Sequence, residues 1–117
     1  MTSDTMPITP FLRNADTAEL EDWGPLEEAT GASMATSGVT LWKDGDQQIG
    51  IWECGPGPSR WLLETNEFVH IVAGRMTVTV DKGEPVELAT GDTAVFPKGW
   101  RGTWEIAETI RKLYVIF

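Results

Sequence analysis

Three residues of this chain stand out as candidates to act on a substrate or hold an ion, and each stands nearly alone. Cys54 is the only cysteine and His70 the only histidine. Glu67 precedes His70 by three positions inside EFVHIVAG. A transition metal asks for three or four imidazole, carboxylate or thiolate ligands. Side chains alternate along a strand, so Glu67 and His70 point to opposite faces and do not chelate one ion. His70 reads instead as a satisfied core or interface histidine. Glu53 and Glu64 offer further carboxylate oxygens, but nothing in their spacing gathers them. A nucleophilic cysteine needs a neighbouring base, and no sequence argument places the only histidine, His70, beside Cys54. It reads as a small buried apolar residue. A single cysteine also excludes an intrachain disulfide. The remaining supply is aromatic: six tryptophans in 117 residues, each a flat apolar surface whose face attracts cations.

These residues need a scaffold, and the pattern from Gly38 onward gives one. Short β-rich runs follow one another: VTLWKD, QIGIWEC, RWLLE, EFVHIVAG, RMTVTVD, PVELA, TAVFP, GTWEI and IRKLYVIF. Turn formers separate them, among them Asp44-Gly45, Gly55-Pro56-Gly57-Pro58, Asp81-Lys82-Gly83 and Gly91-Asp92. Strands at short regular spacing predict an all-β sandwich or barrel. RMTVTVD alternates strictly, with Met76, Val78 and Val80 on one face. EFVHIVAG is apolar on both faces, as expected of a strand between a core and a second layer or partner subunit. Gly74 is expected to end that strand in a sharp turn. Asp92 is expected to bond back to the backbone beside Gly91, and Pro97 to end a strand where its missing N–H costs least.

Residues 1–37 lack periodicity and read as an N-terminal arm, with 38–117 as the barrel. Ala18 to Trp23 is expected to form a helical turn stopped at Gly24-Pro25. Trp23 and Leu26 are expected to pack the arm down, and residues 1–6 to form a disordered tip. The length suits one domain. The net charge is −9, which argues against nucleic acid, since phosphate contacts need clustered Lys and Arg. It argues equally against an anionic membrane. No apolar run approaches a membrane span, and nothing at the N-terminus resembles a signal peptide. A cytoplasmic protein is the expectation.

The turn residues fall into two frames. One holds Gly55, Trp61, Leu63, Glu67 and Gly74; the other holds Gly91, Pro97 and Gly99. Their spacings match G-x5-H-x-H-x3-E-x6-G and G-x5-P-x-G-x2-H-x3-N, with 16 residues between Gly74 and Gly91. On these residues, Gly50 to Phe117 resembles the cupin superfamily, which implies an RmlC-like jelly-roll β-barrel. GIWECGPG, EFVHIVAGRMTVTVDKG, ATGDTAVFPKGWRGTW and ETIRKLYVI are most similar to the small single-domain group classed with (S)-ureidoglycine aminohydrolase and the ethanolamine-utilisation cupins. The resemblance covers about 60% of the chain.

Metal-binding cupins would place ligands at positions that fall here on Trp61, Leu63, Glu67 and Gly102. Only Glu67 can bind a metal, so no metal cofactor is expected. The resemblance turns Trp61, Leu63 and Trp104 inward, where Phe96, Trp100, Lys112 and Tyr114 join them as candidate pocket residues. Two outcomes stand side by side: an aromatic-walled pocket anchored on Glu67, or a barrel plugged by indoles. An inward carboxylate must be paired, protonated or solvated, and Lys112 and Tyr114 are its candidate partners. Glu67 is the candidate catalytic residue or ligand anchor. The expected function is binding of a small polar or amine-like metabolite by a homodimer, small cupins commonly pairing through one sheet. The alternatives are a hydrolase or isomerase whose metal is held by carboxylates, and a structural or regulatory dimer with a filled barrel.

Overall fold

The computed structural model describes residues 6–117. The expected disordered tip lies, apart from Met6, outside the described residues. Eight antiparallel strands build the fold: β1 Glu21–Pro25, β2 Ala35–Asp44, β3 Gln47–Cys54, β4 Gly57–Leu62, β5 Glu67–Val80, β6 Pro85–Ala89, β7 Thr93–Phe96 and β8 Arg101–Ile116. No helix occurs among the described residues. Accordingly, no helix there is long and apolar enough to cross a membrane. The fold is the all-β cupin jelly roll.

Two long strands organise it. β5 and β8 each unite two of the runs seen in the sequence and pair along nearly their whole length, from Glu67 opposite Ile116 to Val80 opposite Gly102. The first half of β5 and the last half of β8 carry β7 and β3 as neighbours; β2 and β1 extend beyond β3. The other halves carry β6 and β4. The two sets of strands face each other, bringing Trp52 of β3 within 6.4 Å of Trp61 and 6.3 Å of Trp104 between ring centroids. Between them lies the core, including Val69, Ile71, Met76, Val78, Phe96, Trp104, Ile106 and Ile110.

Gly74 corrects one expectation. It does not end a strand; it lies inside β5 at φ +86°, where the register against β8 shifts. A Cβ at this position would stand 2.1 Å from the Thr109 carbonyl oxygen. Glycine lets β5 bend while remaining paired, so one strand serves both halves. The Gly91 turn forms as expected: the Ala89 N–H donates to Asp92 Oδ2 at 2.8 Å.

The N-terminal segment holds a second correction. Ala18 to Trp23 is not a helical turn. The chain turns once at Asn14, whose carbonyl accepts from the N–H groups of Thr17 and Ala18, and then enters β1. Pairing with β2 satisfies the β1 backbone and outweighs the local helical preference of AELED. Met34 is buried in the common core and its carbonyl accepts from Leu26 N–H at 2.8 Å. Arg111 straps the preceding residues down. Its Nη1 donates to the carbonyls of Ala15 (3.0 Å) and Ala18 (2.9 Å), and its Nε donates to Glu53 at 3.0 Å.

Two outcomes follow. Gly74→Val should cost about 1–3 kcal/mol or more in urea unfolding, because both the backbone region and the contact to Thr109 oppose a side chain. Arg111→Ala should leave the barrel folded but expose residues 13–20 to limited proteolysis, with cleavage mapped by mass spectrometry.

Candidate ligand pocket

Alternation along three strands gathers one polar pair among indoles. In β5, Glu67, Val69 and Ile71 turn inward and are buried; in β8, Lys112 and Tyr114 do the same. Register sets Lys112 between Trp52 of β3 and Ile71 of β5. The result is a cavity of about 170 Å³. Its wall comes from Trp52, from Trp61 of β4, from Glu67, and from Trp104, Lys112, Tyr114 and Ile116 of β8.

Lys112 Nζ donates to Glu67 Oε2 at 2.8 Å, with the two side chains only 4% and 11% exposed. The ammonium also lies 4.6 Å from the Trp52 ring centroid and 4.4 Å from that of Trp104. Such faces attract a cation, the more so out of water. Lys112 therefore occupies, from within the chain, the place between carboxylate and indoles that an amine ligand would take. Trp61 stacks on Trp104 at 4.2 Å and is held by a 2.8 Å bond from its Nε1 to Ser59 Oγ. Phe96 lies 5.1 Å from Trp104. Tyr114 Oη accepts from Gln48 Nε2 at 2.7 Å. Burial pushes the Tyr114 phenol above its usual range; bonds with Gln48 and Thr40 pull it back, and the Glu67 charge raises it again. The phenol stays protonated at neutral pH.

Of the residues singled out from sequence, Trp61, Glu67, Trp104, Lys112 and Tyr114 line the cavity. Leu63, Phe96 and Trp100 do not; they pack behind it in the core. Leu63 lies just past the end of β4, its N–H bonded to the Trp100 carbonyl at 2.9 Å, so strand alternation no longer aims it at the cavity. Trp52 and Ile116 are additions to the lining, and Ser59 supports it from behind through Trp61. Alternation in QIGIWEC puts Gly50, Trp52 and Cys54 on one face, but only the pairing of β3 with β8 shows that this face is the inner one. His70 is half-buried on the side of β5 opposite Glu67. Cys54 is buried, its thiol pushed up to about 11 by burial, with the Lys112 charge pulling it back in part.

The residues present do not fit a divalent metal. Trp61, Leu63 and Gly102 offer no donor atoms, and Glu67 already holds the Lys112 ammonium. At Gly102 even the room for a ligand side chain is missing, since a Cβ would stand 2.2 Å from the Thr79 carbonyl oxygen. Among the described residues no three His, Cys, Asp or Glu side chains come together.

Two facing halves of bent antiparallel strands with a cavity between their inner faces give the chain a jelly-roll architecture. Residues 41–114 match the family described as the EutQ-like cupin domain, and the chain belongs to that family. No curated protein matches its sequence. Among solved structures, it is similar to a DUF861-family protein of unknown function from Pseudomonas syringae pv. tomato, at 20% identity and TM-score 0.79, over 87% of this chain and 46% of that one. The chain thus spans about half the length of that relative. It is similar to the EutQ protein of Clostridium difficile at 19% identity and TM-score 0.74, over 89% of this chain and 83% of that one. A DUF861-family protein from Thermotoga maritima is 37% identical over 57% of this chain and 76% of that one, with TM-score 0.56.

Breaking the pair from either side should be costly. Lys112→Met or Glu67→Leu alone should lose about 3–5 kcal/mol, because an uncompensated charge remains buried. The double variant should recover most of it, and a double-mutant cycle in urea reads the difference. The Cys54 thiol should resist alkylation by iodoacetamide at pH 8 in the folded protein and react on unfolding, since its folded value of about 11 leaves almost no thiolate.

Proposed function

We propose that this protein is a metal-free cupin that binds a small polar metabolite in the cavity anchored by Glu67 and Lys112. The observation carrying this reading is the cavity itself. It joins three indole walls to one charged pair at its polar end, the usual build of a small-molecule site. The family adds the fold and no chemistry, because one fold hosts many functions. A screen of small polar metabolites by thermal shift tests the reading. A compound at 100-fold over its dissociation constant should stabilise the protein by about 2.7 kcal/mol. Trp61→Ala, which keeps the ion pair, should lose the shift. A full panel that leaves the melting temperature unmoved would favour the filled barrel instead.

The same reading takes the protein as a homodimer, and the outer sheet face supports it. On the side of the sheet away from Glu67, register aligns Trp42, Ile49, Val115, Phe68 and Val95 in one apolar row across five strands. Val95 is 53% exposed and Trp42 38%. A self-complementary apolar row suits a two-fold interface. Sedimentation should give a dimer that Phe68→Lys weakens; a monomer at all concentrations would remove this part of the reading.

A further inference from the structure

The polar end of the cavity carries one positive and one negative charge, and that balance selects among ligands. The inference rests on the binding reading above. A cationic ligand would meet the Lys112 ammonium, which already lies over the Trp52 and Trp104 rings. An anionic ligand would meet Glu67. A neutral molecule meets neither penalty.

The pair also presents a donor beside an acceptor. Glu67 Oε2 accepts from Lys112. Among the described residues the other carboxylate oxygen, Oε1, has no hydrogen-bond donor, yet it is not a sealed, unsatisfied atom. Glu67 lines the cavity, and Oε1 is its carboxylate oxygen left free to accept from a ligand. An ammonium has three N–H donors, and one of those of Lys112 goes to Glu67. A ligand with an N–H next to a C=O would bridge the pair, its N–H donating a hydrogen bond to Oε1 and its carbonyl accepting one from Nζ. The volume of about 170 Å³ sets the size, since a cavity of roughly 150 Å³ admits a benzene ring. The indoles favour a flat, apolar body. We propose that the pocket recognises a small neutral cis-amide, a lactam of about six ring atoms, through Glu67 Oε1 and Lys112 Nζ together.

The test uses four probes on the whole protein, followed through the indole N–H signals of Trp52, Trp61 and Trp104 by NMR titration. The probes are 2-piperidone, N-methyl-2-piperidone (which lacks the donor), piperidinium and valerate. The expected result is saturable binding of 2-piperidone at those tryptophans, with at least about tenfold weaker binding of the N-methyl compound, the worth of one hydrogen bond to a charged group. Both ions should bind more weakly than 2-piperidone. Glu67→Gln should narrow the gap between the two lactams. If that variant fails to fold, the comparison on the unaltered protein carries the test alone. Equal binding of the two lactams, tighter binding of either ion, or no saturation by 2-piperidone overturns the proposal. The thermal-shift panel separates the two levels: another saturating metabolite leaves the binding reading standing without this ligand class, whereas none takes both away.

Discussion

Two ionised side chains removed from water must find each other or cost the fold several kcal/mol. Glu67 and Lys112 do so at 2.8 Å, and much of the molecule is arranged around that contact. They reside on neighbouring long strands, four residues apart in register, because Glu67 stands opposite Ile116 and Ile71 opposite Lys112. The indoles of Trp52 and Trp104 close over the ammonium from opposite halves of the sandwich. The pair therefore ties β3, β5 and β8 together at the point where the cavity begins. It also decides what the cavity can be. A carboxylate already neutralised by its own chain is a poor ligand for a second cation and a ready acceptor for a neutral donor.

That contact depends in turn on β5 and β8 running unbroken through both halves. The bend at Gly74 lets one strand face Glu67 into the cavity and, farther on, Met76 and Val78 into the core. A chain that turned at Gly74 would need another strand to carry one of those roles. The stack of Trp61 on Trp104, backed by Phe96 and Trp100, then fixes the far wall. Behind it, Ser59 orients the Trp61 indole with a single hydrogen bond. Arg111 works on the other side, fastening the segment before β1 to the outer face through Glu53 and two carbonyls.

The strands were readable in the sequence because their side chains alternate and their turns use Gly, Pro and Asp. The two Gly/Pro frames then pointed to the jelly roll. Inward placement of Trp61, Glu67 and Trp104 followed from the frames and from alternation; for Lys112 and Tyr114 alternation gave only a shared face, which pairing with β5 turns inward. Leu63, Phe96 and Trp100 were harder to place, since alternation stops where a strand ends and does not separate a cavity wall from the layer behind it. Trp52 required knowledge of which strands pair, a non-local fact that no local pattern carries. Gly74 and the Ala18–Trp23 segment show the same limit: a glycine next to a strand and an AELED run have local preferences that long-range pairing overrides.

The account rests on the chain's own ammonium standing where a metal would otherwise face Glu67. Elemental analysis by mass spectrometry of protein purified without chelators, before and after exposure to excess divalent metal, tests this most directly. The account predicts far less than one equivalent of any transition metal in both samples. About one equivalent retained through dialysis, and lost in Glu67→Ala, would contradict it and return the site to metal chemistry.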